Sequence, residues 1–217
     1  MITEKLKILN LYSCLGGNRY KWDEVANINV TAVELDPELA RMYQERFPND
    51  TVIVADAHQY LLDHYKEFDF IWTSPPCHSH SKSRFARRET TTAEYPDLKL
   101  YEEILFLDNW FKGKYVVENV IPYYEPLIPA KKRGRHLYWT NFNLPTDLKE
   151  RKVGIMEGKD EVNQWCKFHD YNFYNYKGYQ RVDKIARNLV DYEVGKIILE
   201  TALNIIKKNN ITQTSLF

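Results

Sequence analysis

Apolar residues fall in short runs along the first half of the chain, each closed by a turn signal and most followed by a helical stretch. Ile8 to Ser13 reads as a buried strand ended by Gly16-Gly17, with a helical stretch from about Arg19 to Ala26 after it. Val30 to Glu34 is a second strand. Asp36-Pro37-Glu38 then opens a helix, because aspartate caps and proline fits the first turn. That helix runs through Leu39, Met42 and Tyr43 towards Phe47. Thr51 to Ala55 and Phe68 to Trp72 are the third and fourth strands. Leu98 to Phe111 has apolar residues at helical spacing, Tyr115 to Val117 is a fifth strand, and His136 to Phe142 alternates as a later one.

Strand and helix alternate up to the fifth strand. The expected fold is therefore α/β, a mostly parallel twisted sheet with helices on both faces. Leu144 to Gln180 is polar and aromatic-rich without a clear period, and Val190 to Lys207 returns to helical spacing. The expected division is a catalytic and cofactor-binding part over 1–143, a small irregular lobe over 144–180, and a returning segment over 181–217 whose last ten residues form a tail.

The 30 basic and 30 acidic residues cancel, so any nucleic-acid surface must come from local clustering. Cys14, Cys77 and Cys166 are odd in number and widely spaced, which argues against a disulfide framework. The amino terminus is charged where a signal peptide is apolar, and no run approaches the roughly 20 apolar residues of a membrane span. A cytoplasmic protein without membrane contact, and a monomer, is expected.

Candidate chemistry gathers at strand ends, where open α/β sheets bind ligands. The first strand ends in Tyr12-Ser13-Cys14-Leu15-Gly16-Gly17, whose glycines allow a sharp turn and a ligand close to the next helix. Glu34 ends the second strand and suits ribose hydroxyls. Asp56 follows the third and suits an adenine amino group. Singly, these are a tight turn and two helix caps. In order, they lay out a nucleoside-cofactor site. The glycine spacing is not that of a dinucleotide fingerprint, so S-adenosylmethionine fits better. Cys77 follows Ser74-Pro75-Pro76 at the fourth strand end as a candidate nucleophile, although a lone cysteine is commonly a small buried hydrophobe. Glu118 lies one strand over. Arg133 and Arg135 precede the His136 strand at a spacing of two, which points both side chains one way along a strand.

Taken together, these motifs resemble the DNA (cytosine-5)-methyltransferase family from residue 8 to about 203. Tyr12 to Gly17 is similar to its Phe-Ala-Gly-x-Gly-Gly motif, Pro76-Cys77 to its Pro-Cys motif, and Glu118-Asn119-Val120 to its Glu-Asn-Val motif. Lys131 to Arg135 is similar to Gln-x-Arg-x-Arg, and Asn188-Leu189-Val190 to the closing Asn-x-Val. Tyr12, Cys14, Lys131 and His78 stand where the family has Phe, Gly, Gln and Gln.

The resemblance implies a Rossmann-like methyltransferase fold and methyl transfer from S-adenosylmethionine to carbon 5 of a cytosine flipped out of double-stranded DNA. It implies Cys77 as nucleophile, Glu118 at ring nitrogen 3, and Arg135 helped by Arg133 at the 2-keto oxygen or a phosphate. It implies cofactor contacts from Tyr12, Ser13, Leu15, Gly16, Gly17, Glu34, Leu35, Asp56, Ala57, Ser74, Pro76, Asn188 and Val190. Lys82, Arg84, Arg87 and Arg88 in the loop after Cys77, with Lys131, Lys132, Tyr174 and Lys177, are the expected DNA contacts. Trp165, His169, Tyr171, Asn172, Asn175 and Tyr176 of the lobe either read bases or pack. The small lobe predicts a short recognition site or help from a partner, and the compact size suits a phage or mobile-element enzyme. Alternatives are cytosine methylation of transfer RNA and a silent S-adenosylmethionine or DNA binder. His78-x-His80 beside Cys77 is poor geometry for zinc, so no metal is expected.

Overall fold

The computed structural model describes residues 5–148 and 159–205. Seven strands form one sheet in the order β3-β2-β1-β4-β5-β7-β6. These are β1 Leu6–Leu11, β2 Ile28–Glu34, β3 Thr51–Val54, β4 Phe70–Thr73, β5 Lys114–Val120, β6 Lys131–Arg133 and β7 His136–Thr140. The first five pair in parallel, and β7 lies antiparallel between β5 and β6. Chain order reverses between β1 and β4, the crevice where such sheets bind ligands.

Helices cover both faces: α1 Pro37–Arg46, α2 Ala57–His64, α3 Lys82–Ala86, α4 Lys99–Trp110, α5 Lys159–His169, α6 Val182–Asn188 and α7 Tyr192–Ala202. Leu9, Leu11, Ile71 and Val117 face Ile104 and Leu107 of α4. Ile8, Val30, Phe70, Trp72 and Val116 face Val194, Ile198 and Leu199 of α7. Alternate residues of each strand thus serve opposite cores, which is why central strands read as continuous apolar runs.

α1 starts as its sequence signals: Asp36 caps the amides of Glu38 and Leu39 at 2.9 and 3.4 Å, with Pro37 in the first turn. The helix expected over Arg19–Ala26 reduces to one 3-10 turn, Trp22–Glu24. Tertiary contacts override local propensity there. The buried Arg19 guanidinium is clamped on Asp50 at 2.8 Å, and the Trp22 indole N–H donates to the Gly195 carbonyl at 3.2 Å. No helix amino end therefore follows the glycine turn. Gly17 serves another purpose, since a Cβ there would lie 2.4 Å from the Val190 carbonyl oxygen. The two sequence-distant motifs meet by backbone approach.

The arginine pair is also placed differently. Gly134, at φ +55°, turns the chain so that Arg133 ends β6 and Arg135 precedes β7 in a two-residue hairpin. Residues 144–180 contain α5, and Val162, Trp165, Phe173 and Tyr176 pack with Ile185 of α6 onto Leu15, Leu39 and Met42. The expected tail lies outside the described residues. No helix among the described residues is long and apolar enough to cross a membrane.

Candidate active site

A cavity of about 570 Å³ opens where β1, β2, β4 and β5 end. It joins both halves of the predicted site: Tyr12, Glu34, Leu35, Asp56, Ala57, Asn188 and Val190 line it together with Ser74, Pro76, Cys77 and Glu118. Ser13, Leu15, Gly16 and Gly17 are buried behind that lining.

The cofactor side is held by backbone geometry. Glu34 ends β2, and its two carboxylate oxygens accept the amides of Cys14 at 2.8 Å and Asp36 at 3.0 Å. Burial pushes Glu34 above the usual carboxylate range against these amides. Tyr12 and Cys14 both adopt left-handed backbone, at φ 54° and 46°. Cys14 stands where the motif has glycine, so its Cβ is carried at a conformational cost of order 1 kcal/mol. Asp56 Oδ1 caps α2 through the amides of His58 and Gln59, at 2.8 and 3.2 Å. Those amides, led by Gln59, hold Asp56 below its ordinary range.

On the reactive side, Pro75-Pro76 carries the chain out of β4 and delivers Cys77. Asn119 of β5 fixes this turn by donating to the Pro75 carbonyl at 2.9 Å. Burial pushes the Cys77 thiol up, Glu118 adds to it, and Lys184 of α6 acts the other way. Glu118 is 7% exposed, and His136 Nε2 lies 3.4 Å from its Oε1.

Other predicted residues are used elsewhere. Arg133 donates to the carbonyls of Lys132 at 2.8 Å, Leu144 at 3.2 Å and Pro145, and neither it nor Arg135 lines the cavity. Lys131, expected on DNA, donates to the Thr140 carbonyl and hydroxyl and to the Phe142 carbonyl, at 2.9, 2.7 and 2.7 Å. Burial, then Arg133, holds its ammonium below the ordinary lysine range. Lys132 is exposed.

In the loop after Cys77, Lys82, Arg87 and Arg88 are exposed. Arg84 binds Glu94 at 2.7 Å, and Glu94 also takes His78 Nδ1 at 3.0 Å. His80 turns inward to the Tyr124 hydroxyl at 2.5 Å, so the two histidines go to different partners. In the lobe, Trp165, His169 and Tyr176 are buried, and Tyr171 donates to the Met42 carbonyl at 3.2 Å. These four pack rather than face outward, whereas Asn172, Tyr174, Asn175 and Lys177 are exposed.

Residues 6–120 match the family described as C-5 cytosine-specific DNA methylase. The chain belongs to the C-5 cytosine-specific DNA methylase family. No curated protein matches it. Its fold is similar to the Entamoeba histolytica methyltransferase EhMeth, with TM-score 0.54 and 11% identity over 95% of this chain and all, 100%, of that one. A Spodoptera frugiperda DNMT2 mutant matches at 25% identity and TM-score 0.40, covering 54% of this chain and 36% of its own, so this chain spans about a third of that relative's length. The methylase fold is the Rossmann-like fold of S-adenosylmethionine-dependent methyltransferases.

Sequence reasoning gave no site role to several residues of this cavity. Asp36, His136, Gln180 and Arg187 line it, as does Asn119, which was legible only as part of the Glu-Asn-Val motif. His136 lay just past a motif and carried no signal of its own. Asp36 was legible only as a helix cap.

Proposed function

We propose that the protein transfers a methyl group from S-adenosylmethionine to carbon 5 of a flipped cytosine in double-stranded DNA, through a covalent adduct with Cys77. One observation carries this: Cys77 and Glu118 line the same cavity as Glu34, Asp56 and Val190.

The residues present fit the donor. Each Glu34 oxygen accepts one amide and keeps a lone pair for a ribose hydroxyl. Asp56 Oδ2 lies 3.7 Å from Lys99 and is outside the cap, so it suits an adenine amino group. Leu35, 69% exposed between those acids, offers an apolar wall for the base. Bound there, S-adenosylmethionine supplies an electrophilic methyl group.

Carbon 5 of cytosine is a poor nucleophile. The Cys77 thiolate forms a bond to carbon 6, and the ring electrons move towards nitrogen 3. Glu118, as a proton donor, places a proton on that nitrogen and stabilises the developing charge. The resulting enamine makes carbon 5 nucleophilic, and a donor held by Glu34 and Asp56 would supply the methyl group there, its sulfur–methyl bond breaking to leave a neutral thioether. A base then removes the carbon 5 proton, the carbon–sulfur bond breaks, and the nitrogen proton returns to Glu118. The base must leave the duplex stack for this chemistry. Lys82, Arg87 and Arg88 suit phosphates, and Tyr174 and Lys177 are the outward contacts left by the inward-packed lobe. Arg135, exposed at the hairpin beside β7 and outside the cavity lining, suits a phosphate better than the 2-keto oxygen.

The test is a duplex oligonucleotide containing 5-fluorocytosine, incubated with S-adenosylmethionine. A denaturation-resistant adduct that maps to Cys77 supports the reading. A parallel tritiated-methyl assay on duplex DNA and on transfer RNA identifies the substrate. Transfer to RNA alone would replace DNA in this reading, and transfer to neither, without an adduct, would overturn it.

A further inference from the structure

Glu118 and His136 are brought together by strand register. In the antiparallel β5–β7 pair, Glu118 is opposite Tyr138 and His136 is opposite Val120. His136 is thus the diagonal neighbour of Glu118 on one face of the sheet, within reach of a long side chain. The imidazole Nε2 lies 3.4 Å from Glu118 Oε1, with side-chain exposures of only 15% and 8%. Both side chains line the cavity with Cys77. The motif likeness assigns His136 nothing, since it follows the arginine motif rather than belonging to it.

We propose that His136 is a positioning residue that, when protonated, holds the Glu118 carboxylate and offsets its charge beside Cys77 until the pyrimidine enters, and then supplies through Glu118 the proton placed on ring nitrogen 3. This rests on the cytosine chemistry proposed above.

The need for such a group is electrostatic. The thiolate is the nucleophile, and a second negative charge nearby disfavours it. Burial and Glu118 are the two causes that push the Cys77 thiol up. A cation on Glu118 opposes the second while leaving the carboxyl group in place. Other charged groups surround the pair. From α6, Lys184 favours the thiolate, while Arg187 is bound to buried Glu161 at 2.6 Å. From β6, Arg133 is opposite His136 in register but donates to the Leu144 and Pro145 carbonyls. His78, next to Cys77, is drawn off by Glu94. Arg135 ends the hairpin next to His136.

The experiment reads the thiol itself. Carboxamidomethylation of Cys77 by iodoacetamide is followed against pH in the full-length protein without nucleic acid. Peptide mass spectrometry separates Cys77 from Cys14 and Cys166. His136→Gln and His136→Ala are expected to move the profile to higher pH and to slow alkylation near neutrality roughly three- to tenfold. His136→Arg, which restores a cation, returns the profile towards wild type. In a Glu118→Gln background the His136 substitutions lose their effect, a result that a merely structural role would not produce. In methyl transfer, kcat falls with KM for S-adenosylmethionine unchanged.

Alkylation profiles of His136→Gln and His136→Ala that coincide with wild type would overturn the proposal. Should His136→Ala fail to fold, His136→Gln, which keeps a side-chain N–H, carries the same comparison. A wild-type protein that alkylates as expected but methylates no cytosine leaves the His136–Glu118–Cys77 charge coupling standing and removes its role towards a pyrimidine together with the proposed function.

Discussion

The carboxylate of Glu103 accepts the hydroxyl of Tyr12 at 2.6 Å. The same carboxylate, 1% exposed, accepts Thr73 Oγ1 at 2.6 Å and meets His58 Nδ1 at 3.0 Å. One buried acid of α4 thereby ties the ends of β1 and β4 and the start of α2 into the cavity floor. Burial, then Glu103, pushes the Tyr12 phenol upward, so it stays a donor. Tyr12→Phe, although phenylalanine occupies the family motif, is expected to cost about 1–2 kcal/mol by leaving a buried carboxylate short of a donor. Urea titration measures this, and an unchanged midpoint would refute it.

Cys77→Ala is expected to remove methyl transfer and adduct formation, because the other thiol that lines the cavity, Cys14, sits on the cofactor side, where burial and then Glu34 push it up and disfavour its thiolate. Binding of S-adenosylmethionine, measured by calorimetry, should stay within a few-fold of wild type, since Glu34, Leu35 and Asp56 are untouched. Methylation at the wild-type rate by this variant would sink the nucleophile assignment.

Gly17→Ala tests the meeting of the first and last motifs. Its Cβ would stand 2.4 Å from the Val190 carbonyl oxygen, a backbone atom that cannot swing away. A loss of about 1–3 kcal/mol is expected, together with weaker S-adenosylmethionine binding because Val190 lines the cavity. Thermal melts with and without the cofactor report both effects.

His169 gives the lobe an acid sensitivity. It is fully buried, 0% exposed, with neither ring nitrogen hydrogen-bonded, among Trp165, Phe168, Phe173 and Tyr192. Burial, then Arg46, holds it down at about 3, against 6.5 for an ordinary histidine. The unfolded chain therefore binds a proton that the folded one refuses. The stability is fully present above about pH 6.5 and is lost as pH falls towards about 3, with a slope approaching ~1.4 kcal/mol per pH unit. His169→Phe removes this part of the pH dependence and is neutral or stabilising, because no partner is lost. Denaturant titrations near neutrality and in mild acid compare the two slopes. Parallel slopes would contradict the account.

Most of the sheet was legible because β1, β2, β4 and β5 are buried on both faces and so carry apolar runs bounded by Gly, Pro and Asp. The helix expected at Arg19–Ala26 failed because Arg19 and Trp22 answer to Asp50 and Gly195, distant residues that no local window contains. α5 escaped because its tryptophan and histidine are polar-tipped aromatics, which blur an apolar stripe although they are buried here. The spacing of Arg133 and Arg135 implied one strand, and Gly134 made it a hairpin.

By itself, the sequence determined which reactive groups stand at which strand ends. A Pro-Cys at a strand end, a Glu-Asn-Val at the next, and acids after the second and third strands are local facts, set by turn residues and strand length. Tertiary structure alone decided which groups share the cavity and in what charge environment. The β5–β7 register brings His136 to Glu118, and the turns after β1 put Gly17 against Val190. Those outcomes depend on pairings between residues far apart in the chain, whose energies come from burial and register rather than from any neighbour in sequence.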